Sequence, residues 1–278
     1  MIGGTGGMNK TSMSLTLNDI VCLSEKRRSI LLLLGKKERS TEELTEKMDM
    51  TAHSLAPQLK TLREEGIISM KDGIYKLTTV GCILVKNMYP LFETIKVLEK
   101  NQRYWFNRNL SIIPPELLEQ IREIGNYRLL EYDIREYMFD VPVEFSDKFK
   151  KSKHALCLLS IYHPTYSEMY LEMAKSGKEM TFIVTPKVHE VFMGDKNILK
   201  SLINRENVTY MIYHDTENAI CPTMILTDVF SYIYFFNKDG VYDNKIIIST
   251  DEMTLSWAKE LYKHYKKQSV ILKSIQTE

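Results

Sequence analysis

Cysteine is scarce in this chain and never clustered. Cys22, Cys82, Cys157 and Cys221 stand apart among 278 residues. With no CxxC pair and no Cys/His group at metal-ligand spacing, neither a zinc site nor a disulfide framework can be read. The expectation is four reduced thiols in a cytoplasmic protein, several of them in the core. Long apolar runs are missing as well. "ILLLL" at residues 30–34 is far too short to cross a bilayer, and the N-terminus has no signal-peptide hydrophobic region, so no membrane partner is expected. Nor is there an excess of one charge: 37 Lys and Arg against 36 Asp and Glu leave a net +1. Without a global basic field, any contact with a polyanion must come from a local patch.

Catalytic constellations are also lacking. There is no GxSxG, no HExxH and no pair of carboxylates with an evident acid/base division of labour. His154, His163, His189, His214 and His264 are scattered, and His214-Asp215 reads as a turn after a strand. "GTGGMNKT", residues 4–11, comes near a phosphate-binding loop, but Asn9 stands where the second glycine belongs. No strand precedes it to aim backbone amides at a phosphate. Residues 1–14 are therefore expected to be a flexible leader, and the chain is expected to be no enzyme, with no cofactor and no metal.

What is present begins with helices. Residues 18–34 read as one helix ended by Gly35. "STEE" from Ser40 is a capping box, in which Glu43 reaches back to the Ser40 amide and opens a helix through Met48. A third helix follows in "TAHSLAPQLKTLREEGII" (51–68), ended by Gly66. Its Leu55, Leu59 and Leu62 fall on one face. The opposite side carries His53, Ser54, Pro57, Lys60, Thr61 and Glu64, groups suited to base edges and phosphates, and Thr51 and Gln58 join His53, Ser54, Pro57, Lys60 and Thr61 as candidate DNA contacts. Pro57 fits in two ways. If Ser54 caps the helix, the proline lies in the first turn, where its missing N–H is not needed. If Thr51 caps it, the His53 carbonyl is freed, with a local bend. "IISM" and "IYKLT" around Asp72-Gly73 form a hairpin, adding Lys71 and Lys76. Three short helices and a hairpin outline a winged helix-turn-helix over residues 15–80, with double-stranded DNA as partner.

A long helical stretch then runs from 79 to about Phe106, with Pro90 as a kink or break. Leu84, Met88, Leu91, Ile95 and Leu98 repeat at spacings of 4, 3, 4 and 3, a heptad seam. Residues 81–110 are expected to link two domains and to pair two copies in a homodimer; packing on the same subunit is the alternative. Beyond a boundary before 111, "SIIPPELLEQIREIG" starts a helix at its prolines. Strands and helices alternate from 154 to 267, implying an α/β domain with a mixed sheet at 111–278, and an α+β chain overall. At the carboxyl ends of its first strands, "YHPTY" and "VTPKVHE" offer Tyr162, His163, Tyr166, Thr185 and Lys187 either around a small ligand or as aromatic caps and turn residues on the sheet edge.

"LKTLREEGIISMKDGIYKLTTVG" resembles the third helix and wing of archaeal ArsR-like regulators. "IYHPTYSEMYLEMAKSGKEMTFIVTPKVHEVF" and "TDVFSYIYFFNKDGVYDNKIIISTDEMTLSWAKELYKHYKK" resemble their C-terminal domain, of the methanogenesis- and filament-regulator type; NKDGVYD followed by the Trp257 helix is the more specific part. The resemblance covers residues 17 to 268. It implies an archaeal, methanogen transcription regulator with a DNA reader and a C-terminal effector-sensing or interaction domain. That domain's sheet layout is similar to half of a phospholipase-D-like fold, non-catalytic here because HxKxxxxD is absent. The effector stays unidentified, and a winged-helix protein–protein adaptor is the alternative function.

Overall fold

The computed structural model describes residues 16–131, 143–194, 196–214 and 221–272. The glycine-rich stretch 4–11 and Asp215 lie outside the described residues. The chain forms two compact units that meet in sequence at Phe92–Glu93.

In the first unit the stretch 18–34 is two helices, α1 (Leu17–Val21) and α2 (Glu25–Lys36). The break falls at Ser24, whose hydroxyl accepts the Arg27 amide as an N-cap and so restarts the helix. Gly35 does not end α2. It lies inside the helix, where a Cβ would come within 2.7 Å of Val85 Cγ1, so this glycine permits close packing of two helices. β1 (Arg39–Ser40) precedes α3 (Thr41–Met48), and the Ser40/Glu43 capping box is formed on both sides. α4 (Ala52–Glu64) follows, then β2 (Ile68–Lys71) and β3 (Ile74–Leu77). Asp72 and Gly73 both have positive φ, 51° and 79°, as a two-residue hairpin turn of this kind demands. β1 joins the far side of β3, which gives a three-stranded sheet in the order β1-β3-β2. The sequence showed no sign of that two-residue strand. Leu55, Leu59 and Leu62 pack with Leu31, Leu34, Leu44 and Ile67 into one core. Each such side chain contributes roughly 1.5–3 kcal/mol of burial.

α5 (Thr79–Lys100) runs unbroken through Pro90. It ends at Asn101, whose backbone leaves the helical region (φ −143°, ψ 60°), before the single turn α6 (Gln102–Trp105). The helix expected over 111–125 is mostly not α: only α7 (Pro115–Leu118) is, between tighter turns at Leu110–Ile112 and Ile121–Ile124.

Among the described residues the second unit is built on a mixed sheet of eight strands, in the order β11-β7-β6-β5-β8-β9-β10-β4. In chain order these are β4 (Arg128–Glu131), β5 (His154–Leu159), β6 (Glu179–Val184), β7 (Val208–Tyr213), β8 (Thr223–Thr227), β9 (Ser231–Tyr234), β10 (Lys245–Ser249) and β11 (Ser269–Ile271). β5, β6 and β7 are parallel, and the rest pair antiparallel. α8 (Val143–Lys151), α9 (Pro164–Lys175), α10 (Pro186–Gly194), α11 (Lys196–Ile203) and α12 (Glu252–Lys267) complete the described elements. β4, β11 and α8 had no counterpart among the elements read from the sequence. Alternate strand residues serve two cores. Leu158, Ile183, Met211 and Ile247 face Trp257 and Leu261 of α12; Cys157, Phe182, Tyr210 and Ile248 face the side of α8 to α11. Among the described residues no helix is long and apolar enough to cross a membrane.

Candidate functional site

α4 is capped by Thr51, whose hydroxyl accepts the Ser54 amide at 3.3 Å. Of the two ways to seat Pro57, the structure takes the second: the proline lies past the first turn, and its absent N–H is the one that would have reached the His53 carbonyl. The Thr61 hydroxyl donates to the Pro57 carbonyl at 3.0 Å. His53, Pro57, Lys60 and Glu64, at helical spacing, are all exposed and form one outward stripe. Within it Lys60 and Glu64 are 3.7 Å apart, a solvated pair of small energetic consequence.

Three other residues assigned to this face, Ser54, Gln58 and Thr61, are half-buried. Lys26 Nζ donates to Ser54 Oγ at 3.3 Å, and Arg27 donates to Gln58 Oε1 at 3.3 Å. Arg27 also bonds the Ile20 and Asp19 carbonyls at 2.8 and 3.2 Å. One guanidinium therefore ties the end of α1 to α4, a use that suits its planar fork of donors. Ser54 and Gln58 are positioned from behind by α2. Sequence reasoning missed Lys26 and Arg27; the run of three cations at Lys26, Arg27 and Arg28 was the only signal.

In the hairpin, Ser69 pairs with Lys76 and Lys71 with Ile74. Opposed residues share a face, so both lysines stand on the side away from Tyr75 and Leu77, which pack on the core. Met70 and Ile74 are exposed as well.

The seam along α5 is divided. Met88 is buried in the first unit's own core and Leu84 packs against it, while Leu98 packs against a core of the second unit. Ile95 is half-buried. Leu91 remains exposed, 56%, as do Val80 and Ile83 at 50% and 58%. Where the seam was read as one surface, the apolar positions left open are Val80, Ile83 and Leu91.

In the second unit, the pairing registers bring one edge of the sheet together. The carboxyl ends of β5, β6, β7 and β9 lie beside the amino ends of β8 and β10. Ser160, just past β5, meets Thr223 of β8 with hydroxyls 2.8 Å apart. Tyr162 sets its ring edge on Phe192 at 5.0 Å, and His163 lies 5.0 Å from the Tyr166 ring. Tyr166 stacks on Phe145 at 5.8 Å. Burial pushes its phenol up, against a hydrogen bond with Tyr232 that lowers it. Thr185 is buried, and its hydroxyl accepts the Val188 amide at 3.3 Å, so it acts as the cap of α10. Lys187 is exposed, with no ion pair among the described residues. The structure thus brings His163 and Tyr166 together, sets Tyr162 against Phe192, uses Thr185 as a helix cap and leaves Lys187 in solvent.

What sequence reasoning missed lies one turn deeper. Ser167 and Tyr170 continue the inward stripe of α9 and are each 1% exposed. Neither hydroxyl has a hydrogen-bond partner among the described residues, which in a native interior calls for a water or a ligand. His189 Nδ1 and the Tyr210 hydroxyl are 3.2 Å apart, and burial lowers the imidazole pKa below its usual 6.5, against Glu190, which raises it. No group of His, Cys, Asp and Glu among the described residues could hold a metal ion.

NKDGVYD is built into the fold. Asn237 Oδ1 accepts the Asp239 and Val241 amides at 3.0 and 2.8 Å, and Asp243 forms a two-pronged pair with buried Arg108. Trp257 donates to the Leu117 carbonyl at 3.0 Å.

Residues 138–268 match the family model described as methanogenesis regulatory protein FilR1, middle domain, and residues 18–100 match the HVO_A0261 N-terminal domain. The chain is homologous to methanogenesis regulatory protein FilR1 of Methanothrix harundinacea (strain 6Ac), at 23% identity over 257 residues, 88% of this chain. It spans only 56% of that protein's length. Among solved structures it is similar to TrmBL2, an archaeal chromatin protein described as showing a novel mode of DNA binding. The identity is 11%, over 92% of this chain and 100% of the other, with a TM-score of 0.42. A phospholipase D family member, Nuc from Salmonella typhimurium, is similar at 14% identity over 54% of this chain and 99% of its own, with a TM-score of 0.40.

Proposed function

We propose that this chain is a DNA-binding transcription regulator, not an enzyme. In this reading its first unit is a winged helix-turn-helix that reads duplex DNA as a homodimer, and its second unit senses a small ligand. The observation that carries the reading is the surface of α4. A capped helix presents His53, Pro57 and Lys60 outward, is held from behind by Lys26 and Arg27, and is followed by a hairpin with both lysines on one face. A helix positioned to enter a major groove, beside a basic hairpin that reaches phosphate, has these parts. Homology to a regulatory protein supports the same assignment. The sensing role is supported by the orphaned hydroxyls of Ser167 and Tyr170 beneath His163 and Tyr166.

Titrating the protein with duplex from upstream of its own gene, and with a scrambled duplex at the same salt, tests the reading. Specific readers typically favour their site about 10³-fold or more, and equal affinity for the two would sink it. The second reading, a protein–protein adaptor, is favoured by Met70 and Ile74, 40% and 38% exposed on the hairpin. An adaptor would show weak DNA binding with little salt dependence, whereas a reader loses affinity steeply as salt rises.

A further inference from the structure

We infer that the first unit holds a small-molecule site of its own, between α2 and α5, that takes an aliphatic carboxylate. A cavity of ≈ 380 Å³ opens there, within the range of about 300–1,000 Å³ usual for small-ligand pockets. Its floor is apolar: Leu32 from α2, Leu77 from β3 and Val85 from α5. Gly35 closes it, because α2 and α5 approach so nearly that a Cβ would lie 2.7 Å from Val85 Cγ1.

The rim is cationic. Lys36 and Lys86 both line the cavity, and both are exposed. Neither forms an ion pair among the described residues, although the neighbouring Lys37 is 2.8 Å from Glu43. The position of Lys36 in the last turn of α2 answers the helix dipole. Lys86 lies well inside α5, where the dipole gives no reason for a cation. Two exposed lysines lining a cavity with an apolar floor complement a molecule that is anionic at one end and hydrocarbon at the other. A neutral hydrocarbon would gain nothing from the two lysines, whose exposed ammonium groups stay hydrated, and a free inorganic anion would leave the floor wet. This site is separate from the sheet edge of the second unit, and its occupancy does not depend on whether the chain reads DNA.

Calorimetric titration of the full chain with octanoate tests the site, with octanol and inorganic phosphate as half-ligands. Saturable binding of one octanoate per chain is expected, at least tenfold tighter than either half-ligand. It should weaken at least tenfold in Lys36→Ala/Lys86→Ala. It should be lost in Cys82→Trp, which places a large ring on an exposed residue of the cavity wall. Both variants change exposed positions, and thermal melting checks that they fold; the double lysine variant suffices if the tryptophan does not. Absence of octanoate binding, octanol binding as tightly, or undiminished binding by the folded lysine variant would each overturn the inference.

Discussion

Pro57 lies on the exposed side of α4, opposite the buried Leu55, Leu59 and Leu62, so its ring supports no packing in the unit's core. Replacing it with alanine restores a donor for the His53 carbonyl and improves helix propensity, offset in part by a freer unfolded chain. Thermal stability of Pro57→Ala should stay level or rise by up to about 1 kcal/mol. DNA affinity should fall nonetheless, because the exposed proline ring that the outward face offers is lost. A loss of stability at unchanged affinity would identify Pro57 as a packing residue. His189 makes a prediction of another kind. Its pKa is lowered in the folded protein by burial, so the unfolded chain takes up a proton first as pH falls. The protein should lose stability from about the unperturbed pKa of 6.5 downward, and no further once the folded imidazole is protonated as well. Urea melts at pH 7.5 and 5.5 on the parent and on His189→Gln check this. The variant should show the smaller difference between the two.

Elements in this protein are set by contacts at their ends and crossings. The α2–α5 crossing rests on Gly35, and Gly35→Ala would force its methyl against Val85. Overpacking of this kind costs about 1–3 kcal/mol, and the double change Gly35→Ala/Val85→Ala should recover part of it in denaturant melts. Failure of the second change to rescue would mean that the two helices do not meet there. The β2–β3 hairpin makes the electrostatic prediction. Lys71 and Lys76 share its outer face, so Lys76→Ala should weaken binding to specific and random duplex alike. The slope of log K against log salt should fall by about one. His53→Ala should instead change which base is preferred, with that slope nearly unaltered.

For the molecule as a whole, the proposed homodimer can be tested along α5. Met88 is buried in its own subunit, so Met88→Glu should unfold the first unit and report nothing on assembly. Leu91 and Ile83 are exposed on the same helix. If α5 carries the homodimer, Leu91→Glu should halve the mass seen in sedimentation, with little change in melting temperature. A Leu91→Glu protein that keeps the parent's mass would remove α5 from the interface.

The sequence by itself determined what depends on neighbours a few residues away. Leucines at helical spacing placed the buried face of α4, Ser40 with Glu43 placed the start of α3, and Asp72-Gly73 placed the hairpin. The strand runs from 154 to 249 placed the sheet that the second unit contains. Those features obey local rules: a helical period, a capping bond, a turn that needs positive φ. Tertiary structure decided what depends on partners far along the chain. β1 and β4 exist as strands because β3 and β10 lie alongside them. Arg27 takes Gln58 away from the open face of α4, and Met88 turns inward where the heptad spacing alone allowed a dimer seam. Asp243 meets Arg108 across 135 positions of sequence. The hydroxyls of Ser167 and Tyr170 became notable only once the sheet and α8 had enclosed them. Periodicity names the residues that avoid water, but which surface removes them from it is settled only when the chain closes on itself.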